Sequence, residues 1–236
     1  MQIIYTIFFF LFVLVMAIII FAVPAGIIYL LIGAFKKGQD RIKHFQAFAA
    51  EMQLTFLGQV PFTGLKNYQS FRLFILGKSN RQVRNLASGI VRGFQVSIFD
   101  YWYSTNSGRS SKGGHLYTQT VVMVESPQLN LPYFSMNPEG KGIFHTIGDA
   151  FGSQDIDFAT RPVFSSKYLL VGANEQQIRY MFNDSVLSYL ESTTGLCIDS
   201  GGNRIVVYRQ IGIINPTQIR QIFEEGLQIA NLFLHQ

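Results

Sequence analysis

The sequence predicts an α+β protein, with an N-terminal transmembrane helix followed by antiparallel sheet and helices packed on one face of it. Three observations predict this class. The first 35 residues carry no charged side chain, the middle of the chain alternates polar and apolar residues, and the C-terminal third mixes strand patterns with amphipathic helix patterns. About 200 residues remain for the soluble part, which is enough for one domain or two small packed ones.

The N-terminal segment predicts a membrane-spanning helix over residues 1–35. Its stretch "IFFFLFVLVMAIIIFAVPAGIIYLLIGAF" exceeds the roughly 20 apolar residues that cross a bilayer core. A secretory signal peptide would begin with a basic region and have a shorter apolar core, whereas the first cation here is Lys36. Cleavage near Val23-Pro24-Ala25 is therefore the weaker alternative. Pro24 permits a kink in the helix.

Charge predicts the orientation of this helix. Four cations follow the span, against the single acid Asp40: Lys36, Lys37, Arg41 and Lys43. An excess of Lys and Arg beside a span marks the cytoplasmic side. We therefore expect a single-pass protein of the cytoplasmic membrane, with its N-terminus outside and its C-terminal domain in the cytoplasm.

The charge is distributed unevenly along the chain. Residues 36–112 contain twelve Lys or Arg and three Asp or Glu, whereas residues 113–236 contain seven and eleven. The basic half beside the membrane predicts contact with anionic lipid head groups. Nucleic acid is not expected as a partner, because the cations are spaced singly among apolar residues without a recognisable binding motif. A single cysteine, Cys197, excludes an intramolecular disulfide and fits a reducing compartment.

The soluble part divides into a connector helix over 36–54 and an α+β domain over 55–236. In "DRIKHFQAFAAEMQL" apolar residues recur at helical spacing. Alternation in "FQVSIFDYWY", and the apolar runs in "HLYTQTVVMVES" and "LPYFSMN", predict three strands, the first two forming a long hairpin. Two packed subdomains, 55–150 and 151–236, are the alternative to a single domain.

The C-terminal third predicts strand, helix, hairpin and helix in that order. "SKYLLVG" is the strand, and Asn174 caps the following helix, which we expect to break at Asn183-Asp184-Ser185. "LCIDS", the turn "GGN" and "RIVVYRQ" form a hairpin. Asn215 and Pro216 begin the last helix, whose 3.6-residue apolar stripe predicts burial.

The tip of the first hairpin is a candidate binding loop. Its sequence "STNSGRSSKGG" carries Arg109 and Lys112 among small residues, and backbone amides with two cations could hold a phosphate. No helix follows the loop, although phosphate cradles usually combine amides with a helix N-terminus. A solvated flexible loop is the stronger interpretation of this composition.

The stretch "GSQDIDFATRPVFSSKY" raises the question of a carboxylate site. In extended backbone Asp155 and Asp157 share one face, and such a pair could bind a divalent cation. The structural alternative is stronger: one carboxylate accepts backbone amides in the bend before Pro162, and the other pairs with Arg161 or a neighbouring cation.

Catalytic motifs are not found in the sequence. The four histidines are scattered, so no metal site is predicted. A triad of Ser165 or Ser166 with His145 and Asp157 lacks the GxSxG sequence of a nucleophile elbow. We accordingly expect no catalytic residue and no cofactor.

Several stretches together resemble a known group of proteins. These are "IFDYWYSTNSG", "TQTVVMVESPQLNLPYFSMNPEG", "DIDFATRPVFSSKYLLVGANEQQIRYMF" and the C-terminal hairpin and helix. They resemble an uncharacterised bacterial family of single-pass membrane-anchored proteins whose cytosolic domain carries FDY and DIDF motifs. The resemblance covers most of the chain after residue 85 and implies a membrane anchor, without assigned chemistry.

The sequence therefore predicts a membrane-anchored binding or scaffolding protein, whose partners are the lipid bilayer and other membrane proteins. Two alternatives stay open. One is a membrane-associated enzyme that uses Asp100, Asp155 and Asp157. The other is a structural subunit of a larger membrane assembly. A deep polar pocket that collects the three aspartates would favour the enzyme, and a flat apolar patch would favour the assembly.

Overall fold

A computed structural model describes residues 2–68, 71–105, 116–140, 155–210 and 212–234. The chain divides into two compact units, Met1–His44 and Phe45–Gln236. The first unit consists of helix, and the second contains the sheet and the remaining helices.

Helix α1 extends from Gln2 to Glu51 and is long and apolar enough to cross a membrane. Every residue from 2 to 39 is exposed, including all of the large apolar side chains. A π turn spans Ile18–Ala22, just before Pro24. Because proline has no backbone N–H and crowds the preceding turn, an interruption of the α-helical hydrogen bonds is expected there.

An eight-stranded antiparallel sheet forms the centre of the second unit, in the order β1-β2-β3-β4-β8-β7-β5-β6. Its strands are β1 (Thr55–Pro61), β2 (Ser79–Val91), β3 (Phe94–Ser104), β4 (Leu116–Glu125), β5 (Leu131–Pro138), β6 (Tyr168–Gly172), β7 (Leu196–Gly202) and β8 (Arg204–Arg209). Strands on both sides of residue 150 thus belong to one sheet.

Helices cover one face of the sheet, here called the helix face. They are α3 (Pro162–Lys167), α4 (Glu175–Met181), α5 (Asp184–Ser192) and α6 (Ile219–Leu234). The apolar side of α6 is buried as its stripe predicts. The last turns of α1 contribute Phe45, Phe48 and Ala49 to the same core. Phe48 meets Phe223 of α6 edge to face, with ring centroids 5.1 Å apart.

The opposite face is covered by a short segment, here called the strap. It comprises the 3₁₀ helix Phe62–Tyr68 and α2 (Arg72–Leu76). Leu73 and Phe74 of α2 are buried against β3, β4, β7 and β8 in a second apolar cluster. The strap carries the one charged side chain of α2, Arg72, into the interior, where it is 2% exposed.

The predicted α+β class is confirmed, as are the β3–β4 pairing and the hairpin of β7 and β8. Asn174, Asn183 and Asn215 each accept backbone amide hydrogen bonds at a helix start, so both predicted caps and the predicted break are present. One boundary was wrong: "SKYLLVG" is not all strand, because Ser166 and Lys167 end helix α3 and β6 begins at Tyr168. Pro162 at the start of α3 fixes a helical φ there.

Candidate functional site

A buried carboxylate joins β5, β7 and the strap. Asp199 of β7 is 1% exposed. Its Oδ1 accepts a hydrogen bond from Ser135 Oγ of β5 at 2.7 Å, and its Oδ2 accepts one from the backbone N–H of Leu73 in α2 at 2.9 Å. Asn137 Nδ2 donates in turn to Ser135 Oγ at 3.0 Å. The carboxylate therefore fixes the strap to two neighbouring strands.

Burial controls the electrostatics of this group. Loss of solvent raises the pKa of Asp199 to about 6, although the Leu73 amide, the Ser135 hydroxyl and the charge of Arg72 each lower it. At neutral pH the negative charge of the Asp199 carboxylate and the positive charge of the Arg72 guanidinium cancel. The site is thus polar and locally neutral, and its protonation state changes close to physiological pH.

A cavity of about 80 Å³ lies next to Asp199 and Arg72. Most of its wall is apolar. The described residues that line it are Phe71, Arg72, Tyr133, Phe134, Ser135, Val171, Gly172, Ala173, Asp199 and Ser200.

Tyr133 forms the outer rim of this cavity and is 61% exposed. Its ring lies over Gly201 of β7, where an added Cβ would stand 2.3 Å from the ring. A side chain at Gly201 would therefore displace Tyr133 from the rim. Gly172 of β6 is equally close to β5, since a Cβ there would lie 2.7 Å from the Tyr133 carbonyl oxygen.

Asp155 lies at the free edge of β6. Its Oδ1 accepts the Leu170 backbone N–H at 3.1 Å, and the adjacent Ile156 N–H donates to the Leu170 carbonyl at 2.8 Å. Ile156 is buried between the two aspartates in sequence, with 2% of its surface exposed. Burial raises the pKa of Asp155, and the Leu170 amide bond partly lowers it. The segment thus satisfies backbone groups that an edge strand leaves open.

Asp157 is placed differently from its neighbour. Its side chain is exposed, and its main-chain carbonyl accepts Arg179 Nη1 at 2.7 Å. The expected pairing of an aspartate in this stretch with Arg161 is not formed. Arg161 instead pairs with Asp184 at 2.8 Å and with Glu191 at 3.2 Å, because α3 faces α5.

Asp100 is buried in β3 on the helix face. Its carboxylate accepts Thr120 Oγ1 at 2.9 Å and Asn85 Nδ2 at 2.8 Å, and Thr120 Oγ1 also accepts the Ile214 N–H at 3.3 Å. These bonds connect β2, β3, β4 and the segment before α6. Asp100 on β3 and Asp155 beyond the edge of β6 are separated by five strands of the sheet, β4, β8, β7, β5 and β6, so the structure does not collect the predicted acids into one pocket.

The basic cluster lies on α1, where Lys36, Lys37 and Lys43 are exposed and Arg41 is half-buried. Other cations of the basic half make contacts within the domain. Arg92 pairs with Glu224 at 2.7 Å. Arg84 stacks over the Trp102 ring at 4.2 Å. Arg109 and Lys112, predicted as loop ligands, lie outside the described residues, as does His145.

Within the described ranges, no group of three or more His, Cys, Asp or Glu side chains could hold a metal ion. The Asp199 site has hydrogen-bond donors and a carboxylate, but its acid is already bound to Ser135 and Leu73. Its arrangement supports binding of a small group better than acid-base chemistry on a substrate.

No family model matches the chain, and no curated protein matches it. Among solved structures, it is similar to the mycobacterial trehalose monomycolate transport factor A, TtfA. The TM-score is 0.59 at 12% sequence identity, over 83% of this chain and 93% of that chain. At this identity the likeness concerns the fold, and it shows that the same α+β architecture exists in a transport factor.

Sequence reasoning missed Asp199, Arg72 and Ser135 as site residues. One signal was present, because Asp199 is a charged residue inside the apolar strand "LCIDS". Lys, Glu, Arg and Asp are almost never fully buried unless paired, so an aspartate in a strand of this kind indicates a partner elsewhere. The partner could not be found from spacing, since Leu73 lies 126 residues away.

Proposed function

We propose that this protein is a bacterial single-pass membrane protein that acts as an accessory factor, binding membrane proteins and anionic lipid through its cytoplasmic domain. The observation that carries the proposal is α1. It exposes an unbroken apolar surface and continues as helix into the core of the α+β domain. Such a surface is stable only against lipid or another apolar partner.

The orientation rests on the positions of the cations. Lys36, Lys37 and Lys43 are exposed directly after the apolar part of α1, where the positive-inside rule expects them on the cytoplasmic side. They are also the cations of the basic half that we assign to lipid head groups. Each contributes on the order of 1 kcal/mol near an anionic surface.

An accessory role agrees with two further observations. The acids predicted for an enzyme, Asp100 and Asp155, each accept hydrogen bonds that connect strands, and they lie apart. A protein of similar fold is a transport factor, which favours a part in membrane transport over chemistry on a substrate. The resemblance to membrane-anchored bacterial proteins points the same way.

The partner is tested by purifying the full chain in mild detergent and identifying the proteins that leave with it. We expect a membrane protein to co-purify with this chain in a fixed ratio. When the tag is placed on that membrane protein instead, this chain should co-purify with it. A matched variant replaces residues 2–35 by an unrelated apolar helix and distinguishes recognition by α1 from recognition by the domain. Elution of the chain without a co-purifying membrane protein in several mild detergents would contradict the accessory role.

The lipid contact is tested separately by reconstituting the full chain into nanodiscs of neutral or anionic lipid. In anionic discs, we expect Lys36, Lys37 and Lys43 to be protected from an amine-reactive reagent, with protection falling as salt rises. Lys78, which is exposed in the domain, serves as the reference. Equal labelling of the three lysines in both lipids would refute the contact.

A further inference from the structure

The cavity beside Asp199 combines one polar corner with an apolar wall. Its polar corner consists of Arg72, Asp199, Ser135 and Ser200, each at most 6% exposed. Burying charged groups is costly unless they are satisfied. Because this polar corner opens into a cavity, instead of into close-packed core, a ligand that enters the cavity meets hydrogen-bonding groups there.

Val171 shows which side of β6 faces the cavity. Its side chain is 4% exposed, yet it packs into neither apolar cluster of the domain. It lines the cavity instead, together with Phe71 and Phe134. An apolar residue that is buried outside both cores contributes a wall for apolar atoms of a ligand.

The volume limits what fits. A cavity of about 150 Å³ holds benzene, and a water needs only about 10–15 Å³ of such space. The present cavity, at about 80 Å³, exceeds the need of one water and has about half the volume of that benzene-binding cavity. Several waters would lack partners along the apolar wall, so a short aliphatic group fits better.

Charge selects the polar end of that group. Asp199 and Arg72 lie at the same corner with opposite charge, so the corner has no net charge for a ligand to balance. A carboxylate would be attracted by Arg72 but repelled by Asp199, and an ammonium the reverse, so neither gains a net attraction that offsets its cost of leaving water. A hydroxyl is uncharged and can donate to one of these groups while it accepts from the other.

We propose that this cavity is a binding site for an uncharged short aliphatic group with a terminal hydroxyl, which enters past Tyr133 and places its hydroxyl against Asp199. The group is either a small alcohol or the end of a larger molecule that remains outside the rim. The described residues that line it belong to the strap, β5, β6, β7 and the residue that follows β6, and none of them lies in α1.

The test uses the full chain in nanodiscs and three four-carbon probes: 1-butanol, butanoate and butylamine. Binding is followed by the NMR chemical shift of the Leu73 amide, which donates to Asp199. We expect a saturable shift with 1-butanol and at least tenfold weaker responses with the two charged probes. The absence of a saturable response to 1-butanol would overturn the proposal, and so would equal responses to all three probes.

A cavity-filling variant separates this site from unspecific partition into lipid. Val171→Phe should abolish the response to 1-butanol. Leu169→Phe is the matched control, since Leu169 lies on the same face of β6 two residues away and does not line the cavity, and it should leave the response unchanged. If Val171→Phe does not fold, Val171→Leu should weaken binding several-fold. Unchanged binding in a folded Val171 variant would refute the location.

Discussion

Replacing Asp199 by asparagine tests the electrostatics of the buried site. In the folded protein the pKa of Asp199 is raised from 3.8 to about 6, chiefly by burial. The native state therefore binds this proton more tightly than the unfolded state does. The resulting stabilisation is fully present below the unfolded pKa of 3.8 and is lost as the pH rises through 6.

The magnitude follows from the shift. A difference of about two pKa units corresponds to about 3 kcal/mol, at about 1.4 kcal/mol per unit. Asparagine has a similar shape but does not titrate in this range. The free energy of unfolding of the wild type, minus that of Asp199→Asn, should therefore fall by about 2.4 kcal/mol between pH 4 and pH 7, since part of the stabilisation is already lost at pH 4.

Urea unfolding of the full chain in detergent micelles measures this difference. Trp102 is the sole tryptophan and lies in β3 under the Arg84 guanidinium, so its fluorescence reports unfolding of the sheet. Asp157→Asn is the matched control, because it removes a carboxylate at an exposed position of the same domain, and the pH-dependent difference should be larger for Asp199→Asn than for this control. A constant difference for Asp199→Asn would refute the proposed burial of a titrating carboxyl.

Two further substitutions test packing in the same unfolding assay. Asp155→Ala should destabilise the domain by about 1–3 kcal/mol, because the Leu170 N–H loses its acceptor. Asp157→Ala should change the free energy of unfolding by less than about 0.5 kcal/mol. Equal effects of the two substitutions would contradict the assignment of the edge contact to Asp155. Gly226→Val should lower the free energy of unfolding by about 1–3 kcal/mol, since a Cβ on Gly226 of α6 would lie 2.8 Å from Val122 Cγ1 of β4. An unchanged free energy of unfolding would show that α6 can move away from the sheet.

The parts of the fold that the sequence predicted are those with local signals. The apolar run of α1, the cap of α4, the break before α5 and the stripe of α6 all depend on residues within a few positions of each other. The predicted alternation of β3 was equally local. The side chains of Phe94, Val96, Ile98 and Asp100 all lie on the helix face, because alternate residues of a strand share one face.

Strands β1 and β2 were missed because their alternation is interrupted. Gly58 in β1 and Asn80 and Asn85 in β2 have positive φ angles, and the register shifts next to each of them. A bulge moves all later side chains to the other face. The period of two therefore does not persist in either sequence, and the many polar residues of β2 further weaken its pattern.

The strap and the buried site could not be predicted for a different reason. Helix α2 has only five residues, which is too short for helical periodicity to appear. Its position is set by contacts with β3, β7 and β8, which are remote in sequence. Asp155 and Asp157 illustrate the converse: their spacing was visible, but only the position of the β6 edge decides which carboxylate accepts an amide.

The most direct test of the membrane-anchored account is the location of the C-terminus in bacteria. A fluorescent reporter that folds only in the cytoplasm, fused after Gln236, should be active and should remain with the membranes after an alkaline carbonate wash. A phosphatase that folds only outside the cytoplasm should be inactive at the same position. Release of the full chain by the wash would contradict the anchor, and an active phosphatase fusion would contradict the cytoplasmic domain.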